Sequence, residues 1–326
     1  MSRPLLTILV PTYNRAANLA LLLQTLREEI GLLDTVRVLV SDNASTDETS
    51  EVVASASAAW SDLQVQRHET NLGADCNFCS CVERVQTPYF WIIGDDDLPQ
   101  AGLIPKVCKL LNDQQPDLVY LPSLWLPSIT SAHQLGPLNR LESTRLDAIF
   151  FAAKVNTWLT FVSGNIVNLD TFRKHCSDSI AQTHVGSGLV QLAWTLKVLQ
   201  HGERFLALKD PCILATSGNT GGYSVLTVFG ANFPRLVRVL LSARPDIVNA
   251  IVGRHVRTFL PSLIWQIRFS NIGRFHAEEA GQAMRTQLGS YWLFWLVLRP
   301  IMSFPKAAAW PFYAAARLLG RLSFTR

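Results

Sequence analysis

The first third of the chain alternates short apolar runs with amphipathic stretches. Leu5 to Val10 reads as a buried strand halted by Pro11, and Leu19 to Ile30 carries leucines at helical spacing. Val36 to Val40 is a second strand, and Ser45-Thr46-Asp47-Glu48 supplies capping hydroxyls and early acids for the helix after it. Leu63 to Arg67, Tyr89 to Ile93 and Asp117 to Leu121 read as further strands, with helices over Asp75 to Val85 and Leu103 to Asn112 between them. Strands joined by helical crossovers predict an α/β layered sheet of consecutive parallel strands. Ligands of such sheets bind at the carboxyl ends of the strands, so the residues just after each strand are the ones to inspect.

Beyond residue 121 the pattern changes. Trp158 to Asn168 reads as a strand with a break at Gly164, and Leu189 to Gln200 as a helix. From Asn232 the chain turns helical and basic. Tyr291 to Leu298 is wholly apolar, Arg299-Pro300 interrupts it, and Ala307 to Ala316 is apolar again around Pro311. A spanning helix needs about 20 uninterrupted apolar residues, and neither stretch reaches that. The expected organisation is a domain over 1–231, with halves 1–121 and 122–231, and a helical extension over 232–326.

Charge sharpens this division. The net charge of +4 over 326 residues hides an asymmetry: residues 1–120 hold 16 acids against 8 bases, 121–231 hold 6 against 8, and 232–326 hold 3 against 13. An acidic front suits metal and hydroxyl chemistry. A basic, Trp-bearing rear too short to span suits an anionic membrane surface. Nucleic acid is not an expected partner, because base-reading modules are absent and the acidic loops repel phosphate. Met1-Ser2-Arg3-Pro4 runs straight into a strand, so no secretory leader is expected and the predicted location is cytoplasmic, peripheral on the inner face of the cell membrane. Cys76, Cys79 and Cys81 cluster without a second pair at zinc-finger spacing, which fits reduced thiols.

The post-strand loops are unusually polar: Pro11-Thr12-Tyr13-Asn14-Arg15, Ser41-Asp42-Asn43-Ala44-Ser45-Thr46-Asp47, Glu69-Thr70-Asn71-Leu72-Gly73 and Gly94-Asp95-Asp96-Asp97. Adjacent carboxylates at the end of a buried strand repel one another unless a cation or proton relieves them. Mn²⁺ and Mg²⁺ prefer oxygen ligands and share them with substrate phosphates. The apolar Tyr89 to Ile93 run fixes the trio at the ligand edge and argues against a merely solvated turn. Strand alternation would send Asp95 and Asp97 to one side and Asp96 to the other. Taken singly, Tyr13 is as well explained by packing on the sheet, and Asp42 by turn formation.

In this order and spacing, the four motifs resemble glycosyltransferase family 2 over roughly residues 4–121. The segment Asn71-Leu72-Gly73-Ala74-Asp75, with Asn77-Phe78, resembles the abequosyltransferase-like branch of bacterial surface-polysaccharide enzymes, such as those of O-antigen synthesis. The resemblance implies a GT-A fold (a Rossmann-like nucleotide-diphospho-sugar transferase), a nucleotide diphosphate sugar donor, Mn²⁺ or Mg²⁺, and an inverting transfer. Carried over by position, Thr12, Tyr13 and Arg15 line the nucleotide pocket, with Tyr13 stacking on the base. Asp42 bonds the base edge, and Asp95 contacts ribose or sugar. Asp97 ligates the metal, with Asp95 and Asp96 beside it.

Transfer also needs a base for the acceptor hydroxyl. Inverting members present an acid, often a Glu-Asp pair, at a helix start in the second half. The matching stretch here, His184-Val185-Gly186-Ser187-Gly188-Leu189, has no carboxylate. His184 is the nearest titratable group, with Asp178 as alternative, and a backbone-bonded loop histidine explains His184 equally well. Ser163 and Asn165, around Gly164, are expected on the acceptor side. Gln191-Leu192-Ala193-Trp194 resembles part of a motif of processive members, but the motif's Arg is missing and packing accounts for it better. The acceptor expected is a lipid-linked saccharide. The reading from another class is a non-catalytic nucleotide-sugar-binding protein that has lost its base.

Overall fold

In the computed structural model, β1 (Leu6–Thr12) is buried along its whole length and hydrogen-bonded to a neighbour on either side. β2 (Val36–Asp42) pairs parallel on one side and carries β3 (Leu63–Arg67) beyond it, while β4 (Tyr89–Ile92) pairs parallel on the other. Three helices make the crossovers: α1 (Ala16–Ile30), α2 (Thr49–Ala59) and α3 (Ala74–Glu83). α1 buries Leu19, Leu22, Leu23, Leu26 and Ile30, the stripe that its 3.6-residue period aligns. The structure describes residues 4–31, 33–127, 136–216, 224–269 and 281–322.

Pro11 does not halt β1, contrary to the sequence pattern. Leu9 accepts a hydrogen bond from Ile93 N, so Leu9 and Pro11 both face the β4 side, where the ladder ends at Leu9 and Ile92. The missing proline N–H therefore costs no ladder bond, and the strand runs on to Thr12.

The later elements are β5 (Leu98–Pro99), α4 (Leu103–Gln114), β6 (Leu118–Tyr120), β7 (Ser123–Leu126), β8 (Ser143–Leu146), α5 (Ala148–Val155), β9 (Asn165–Asn168), α6 (Leu169–His175), α7 (Ser179–Gln182), α8 (Leu192–His201), β10 (Phe205–Leu208) and β11 (Ile213–Thr216). The large sheet has the order β3-β2-β1-β4-β9-β6-β10-β8, and a small one the order β5-β11-β7. The predicted succession of parallel strands breaks at β9, which lies antiparallel between β4 and β6. Because β9 runs opposite to β4, the residues just before β9 stand at the carboxyl end of β4.

Trp158 to Asn168 is not one interrupted strand. Two 3₁₀ turns, Asn156–Thr160 and Val162–Gly164, precede β9. At the second turn, a Cβ on Gly164 would stand 3.0 Å from Phe161 Cδ1 and 3.1 Å from Leu121 O, so any side chain there would crowd both neighbours. Its carbonyl accepts from Leu121 N at 2.8 Å.

Contacts divide the chain into two units: 1–151, 158–186 and 190–217, which hold the sheets, and 152–157, 187–189 and 218–326, which are mainly helical. The second unit includes helices Phe233–Leu240, Pro245–Arg254, Leu260–Phe269, Gly281–Leu288 and Lys306–Leu322. At its centre His255 is fully buried between Thr157 Oγ1 and Phe229 O, each 2.8 Å from a ring nitrogen. Only an N–H can meet the carbonyl, so Nε2 donates to Phe229 and Nδ1 accepts from Thr157. Burial pushes the His255 pKa down to about 3, and the ring is neutral. Among the described residues no helix is long and apolar enough to cross a membrane.

Candidate functional site

The polar loops that follow β1, β2 and β3 are stitched together by asparagine side chains. Asn14 and Ala44 adopt φ of 53° and 62°, the left-handed region that asparagine tolerates better than most residues. Asn14 N donates to Ser45 Oγ at 2.9 Å, and Asn14 Oδ1 accepts from Thr46 N at 2.7 Å. Asn43 donates to Asn71 Oδ1 and accepts from Leu72 N, both at 2.9 Å. The sequence motifs contain these asparagines but assign them no role. Their role is to hold three loops in register at one edge of the sheet.

Against that edge lies the carboxylate loop. Strand alternation does not apply here, because Asp97 N closes a turn onto Gly94 O at 3.0 Å. Asp95 and Asp96 instead converge on one cation: Arg15 Nη1 stands 3.3 Å from Asp95 Oδ1 and 2.8 Å from Asp96 Oδ2. Thr12 Oγ1 donates to the other oxygen of Asp95 at 2.7 Å. Asp97 turns away to Ser163, whose hydroxyl donates to Asp97 Oδ2 at 2.5 Å and accepts from Gly94 N at 2.9 Å. Ser163 is itself fixed, because its carbonyl accepts from Trp91 Nε1 at 2.8 Å.

Burial dominates the ionisation of this loop. It raises Asp95 to about 6, against the opposing pull of Arg15, the Thr12 hydroxyl and the Tyr13 amide. Burial likewise raises Asp97 to about 7, with Ser163 opposing and the neighbouring carboxylates Asp96 and Asp95 reinforcing. For Arg15, burial alone would lower the pKa, but Asp95 and Asp96 outweigh it and the guanidinium is held charged.

The donor set suits a hard divalent cation. A Cβ on Gly94 would stand 3.1 Å from Asp97 Oδ2, 3.2 Å from Asp96 Oδ1 and 3.5 Å from Ser163 Oγ, so glycine leaves a small oxygen-lined space beside the turn. Among the described residues no three metal-ligating side chains gather into a closed cage. One or two carboxylates with the rest supplied by phosphate is how Mg²⁺ is ordinarily held.

Tyr13 is 43% exposed at the same edge. Asp42 serves the turn through Oδ1, which accepts from Ser45 N at 2.9 Å; its buried Oδ2 has no hydrogen bond, with Arg67 Nε 3.6 Å away. Asn165 is buried, and its amide hydrogens go to Phe161 O at 2.8 Å and Leu159 O at 3.3 Å. Its Oδ1 has no hydrogen bond, and the residue lines, with Gln191 and Trp194, a cavity of about 10 Å³, too small for a sugar. Asp178 is not brought to the carboxylate loop. It pairs at 3.1 Å with Arg173, whose Nη1 donates to Val85 O at the amino end of β4, the end opposite Asp95. His184 is half-buried in the turn after α7, its amide bonded to Ala181 O at 2.9 Å. Sequence reasoning missed the bond from Ser163 to Asp97, which no local pattern signals.

The sequence profile of "Glycosyl transferase family 2" matches residues 7–125. The abequosyltransferase RfbV of Salmonella typhimurium is 34% identical over 98 residues, 28% of this chain and 28% of that protein. The validoxylamine A glucosyltransferase of Streptomyces hygroscopicus subsp. jinggangensis is 50% identical over 52 residues, 16% of this chain and 12% of that protein. Both matches thus span under a third of the relatives' lengths. Among solved structures, S. aureus TarS 1-349 in complex with UDP-GlcNAc superposes with a TM-score of 0.62 at 16% identity, covering 98% of this chain and 92% of that one. The mannosyltransferase PcManGT from Pyrobaculum calidifontis, in complex with GDP-Man and Mn²⁺, gives 0.51 at 16% identity, covering 98% and 88%. At such identities the likeness speaks for the fold, a GT-A α/β fold with a helical carboxyl-terminal region. Residues 7–125 thus carry the signature of glycosyltransferase family 2, and the chain as a whole has the GT-A fold.

Proposed function

We propose that this protein transfers a sugar from a nucleotide diphosphate sugar to a lipid-linked saccharide, with Mn²⁺ or Mg²⁺ and with inversion at the anomeric carbon. The observation that carries the reading is the Asp97–Ser163 pair set beside Asp96 at the loop edge that also bears Tyr13 and Asp42. Tyr13 offers an exposed ring to a base, and Asp42, ion-paired with Arg67, offers its edge a buried oxygen without a hydrogen bond. Arg15 and Thr12 hold Asp95 towards the ribose or sugar. Asp97 and Asp96, with Asp95 behind them, are the residues to hold the ion; when bound, it neutralises charge on the departing diphosphate. His184 is the base proposed for the acceptor hydroxyl, since Asp178 lies at the far end of β4. Docking of the basic rear on the inner face of the membrane would present the lipid-linked acceptor. Its support is the exposed set Trp292, Leu296, Trp310 and Leu318, interspersed with Arg299, Lys306 and Arg317.

A thermal-shift panel of nucleotide sugars with and without Mn²⁺, followed by donor hydrolysis and transfer with membrane extract as acceptor source, tests this. Metal-dependent stabilisation by one nucleotide sugar and its turnover are expected. Binding without any turnover would leave the non-catalytic reading, and no binding would end the proposal.

A further inference from the structure

The sheet that continues from the carboxylate loop carries an aromatic shelf. β5 begins directly after Asp97 and pairs with β11 in the register Leu98 with Leu214; β11 pairs in turn with β7, Leu214 with Leu124 and Ala215 with Trp125. Continuing the β5 register by one residue sets Asp97 in the row of Ala215 and Trp125, two strand spacings or about 10 Å apart. Trp125 is 43% exposed, and Trp158 is 39% exposed with its ring 6.2 Å from that of Trp125. Phe161 completes the group, 5.3 Å from Trp125, and packs its inner side against the hydrophobic core. A second connection ties the shelf to the site: Phe161 lies two residues before Ser163, whose hydroxyl holds Asp97.

Exposed tryptophans on a rigid support are costly in water unless something covers them. Sugar rings present flat C–H faces between their hydroxyls, and an indole matches such a face in size and polarity. Position chooses the occupant. The shelf is continuous with the donor edge, at a distance that a transferred sugar and the residue receiving it would fill.

We propose that Trp125, Trp158 and Phe161 form the platform on which the terminal ring of the saccharide acceptor stacks. The proposal rests on the transferase reading and names where its second substrate sits.

Trp125→Ala and Trp158→Ala, made in the full chain and checked for folding by circular dichroism, provide the test. Donor hydrolysis and donor binding with Mn²⁺ are followed beside transfer onto serially diluted, detergent-solubilised membrane lipid extract. The expected result is a rise of about tenfold in the apparent acceptor KM, the effect of losing one aromatic anchor, with donor KM and hydrolysis unchanged. Unchanged acceptor saturation in both variants, with wild-type transfer intact, would overturn the platform and leave the transferase reading standing. Absence of donor binding and turnover in the wild type would instead remove the reading beneath it. A wild-type dimer that these variants dissociate, with transfer unaffected, would assign the shelf to a second copy of the chain and likewise overturn the proposal.

Discussion

Ser163 Oγ reaches Asp97 Oδ2 at 2.5 Å across 66 residues of sequence, and the same oxygen accepts the amide of Gly94. One hydroxyl thus fixes both the start and the end of the Gly94–Asp97 turn. Removing it, as in alanine, frees Asp97 to rotate and leaves the part-buried Gly94 N–H without this partner. Ser163→Ala is expected to fold and to lose about 10–100-fold in apparent Mn²⁺ affinity, the range for removing a group that orients a metal ligand. Titrating Mn²⁺ against donor turnover checks it.

Asp97 gives the protein a pH signature. Its pKa is raised from 3.8 to about 7 in the folded chain, so its contribution to stability is whole below about pH 3.8 and is lost as the pH rises through about 7. The metal-free wild type should therefore melt lower at pH 8 than at pH 5 by a margin that Asp97→Asn narrows. If Asp97 holds the ion as proposed, Mn²⁺ with nucleotide sugar displaces its proton, and donor affinity should climb between pH 6 and 8 in the wild type alone. Thermal melts across pH, with and without metal, measure both effects.

Tyr13 stands 43% exposed at the loop edge, and little of the fold depends on its ring. If the ring stacks on a base, Tyr13→Ala weakens donor binding by about three- to tenfold, corresponding to about 0.5–1.5 kcal/mol, and Tyr13→Phe keeps it. Calorimetry with the nucleoside diphosphate alone reads this directly.

Trp292 and Trp310 are 61% and 59% exposed on the basic rear. Trp292→Asn with Trp310→Asn should reduce co-sedimentation with phosphatidylglycerol vesicles by at least about tenfold, given the area each indole would bury. Activity towards a soluble acceptor should be unaltered.

Much of this fold was legible because β1, β2 and β4 are buried on both faces and their helices bury a single stripe. Apolar runs between amphipathic stretches encode that arrangement directly. The motif loops were legible for a related reason: polar clusters directly after buried strands have few structural uses. What remained hidden depends on contacts between distant segments. The passage of β1 through Pro11 follows from where the β4 ladder ends. The convergence of Asp95 and Asp96 on Arg15 follows from a turn that overrides alternation. The support of Asp97 by Ser163 follows from the reversed direction of β9, which local periodicity does not record.

That reversal bears on how the chain matures. Residues 7–125 carry the family's sequence signature, yet β4 is flanked on one side by β9, from residues 165–168. A ribosome releasing the first 125 residues has delivered the acidic turn but neither its serine clasp nor the strand that closes β4's open edge. The signature segment alone therefore lacks β9 and β10, strands that flank β4 and β6 in the complete sheet. Expressed alone, it would offer unpaired strand edges to other chains and tend to aggregate, and truncations that respect the site are expected to need the chain through β11, the last strand of the two sheets.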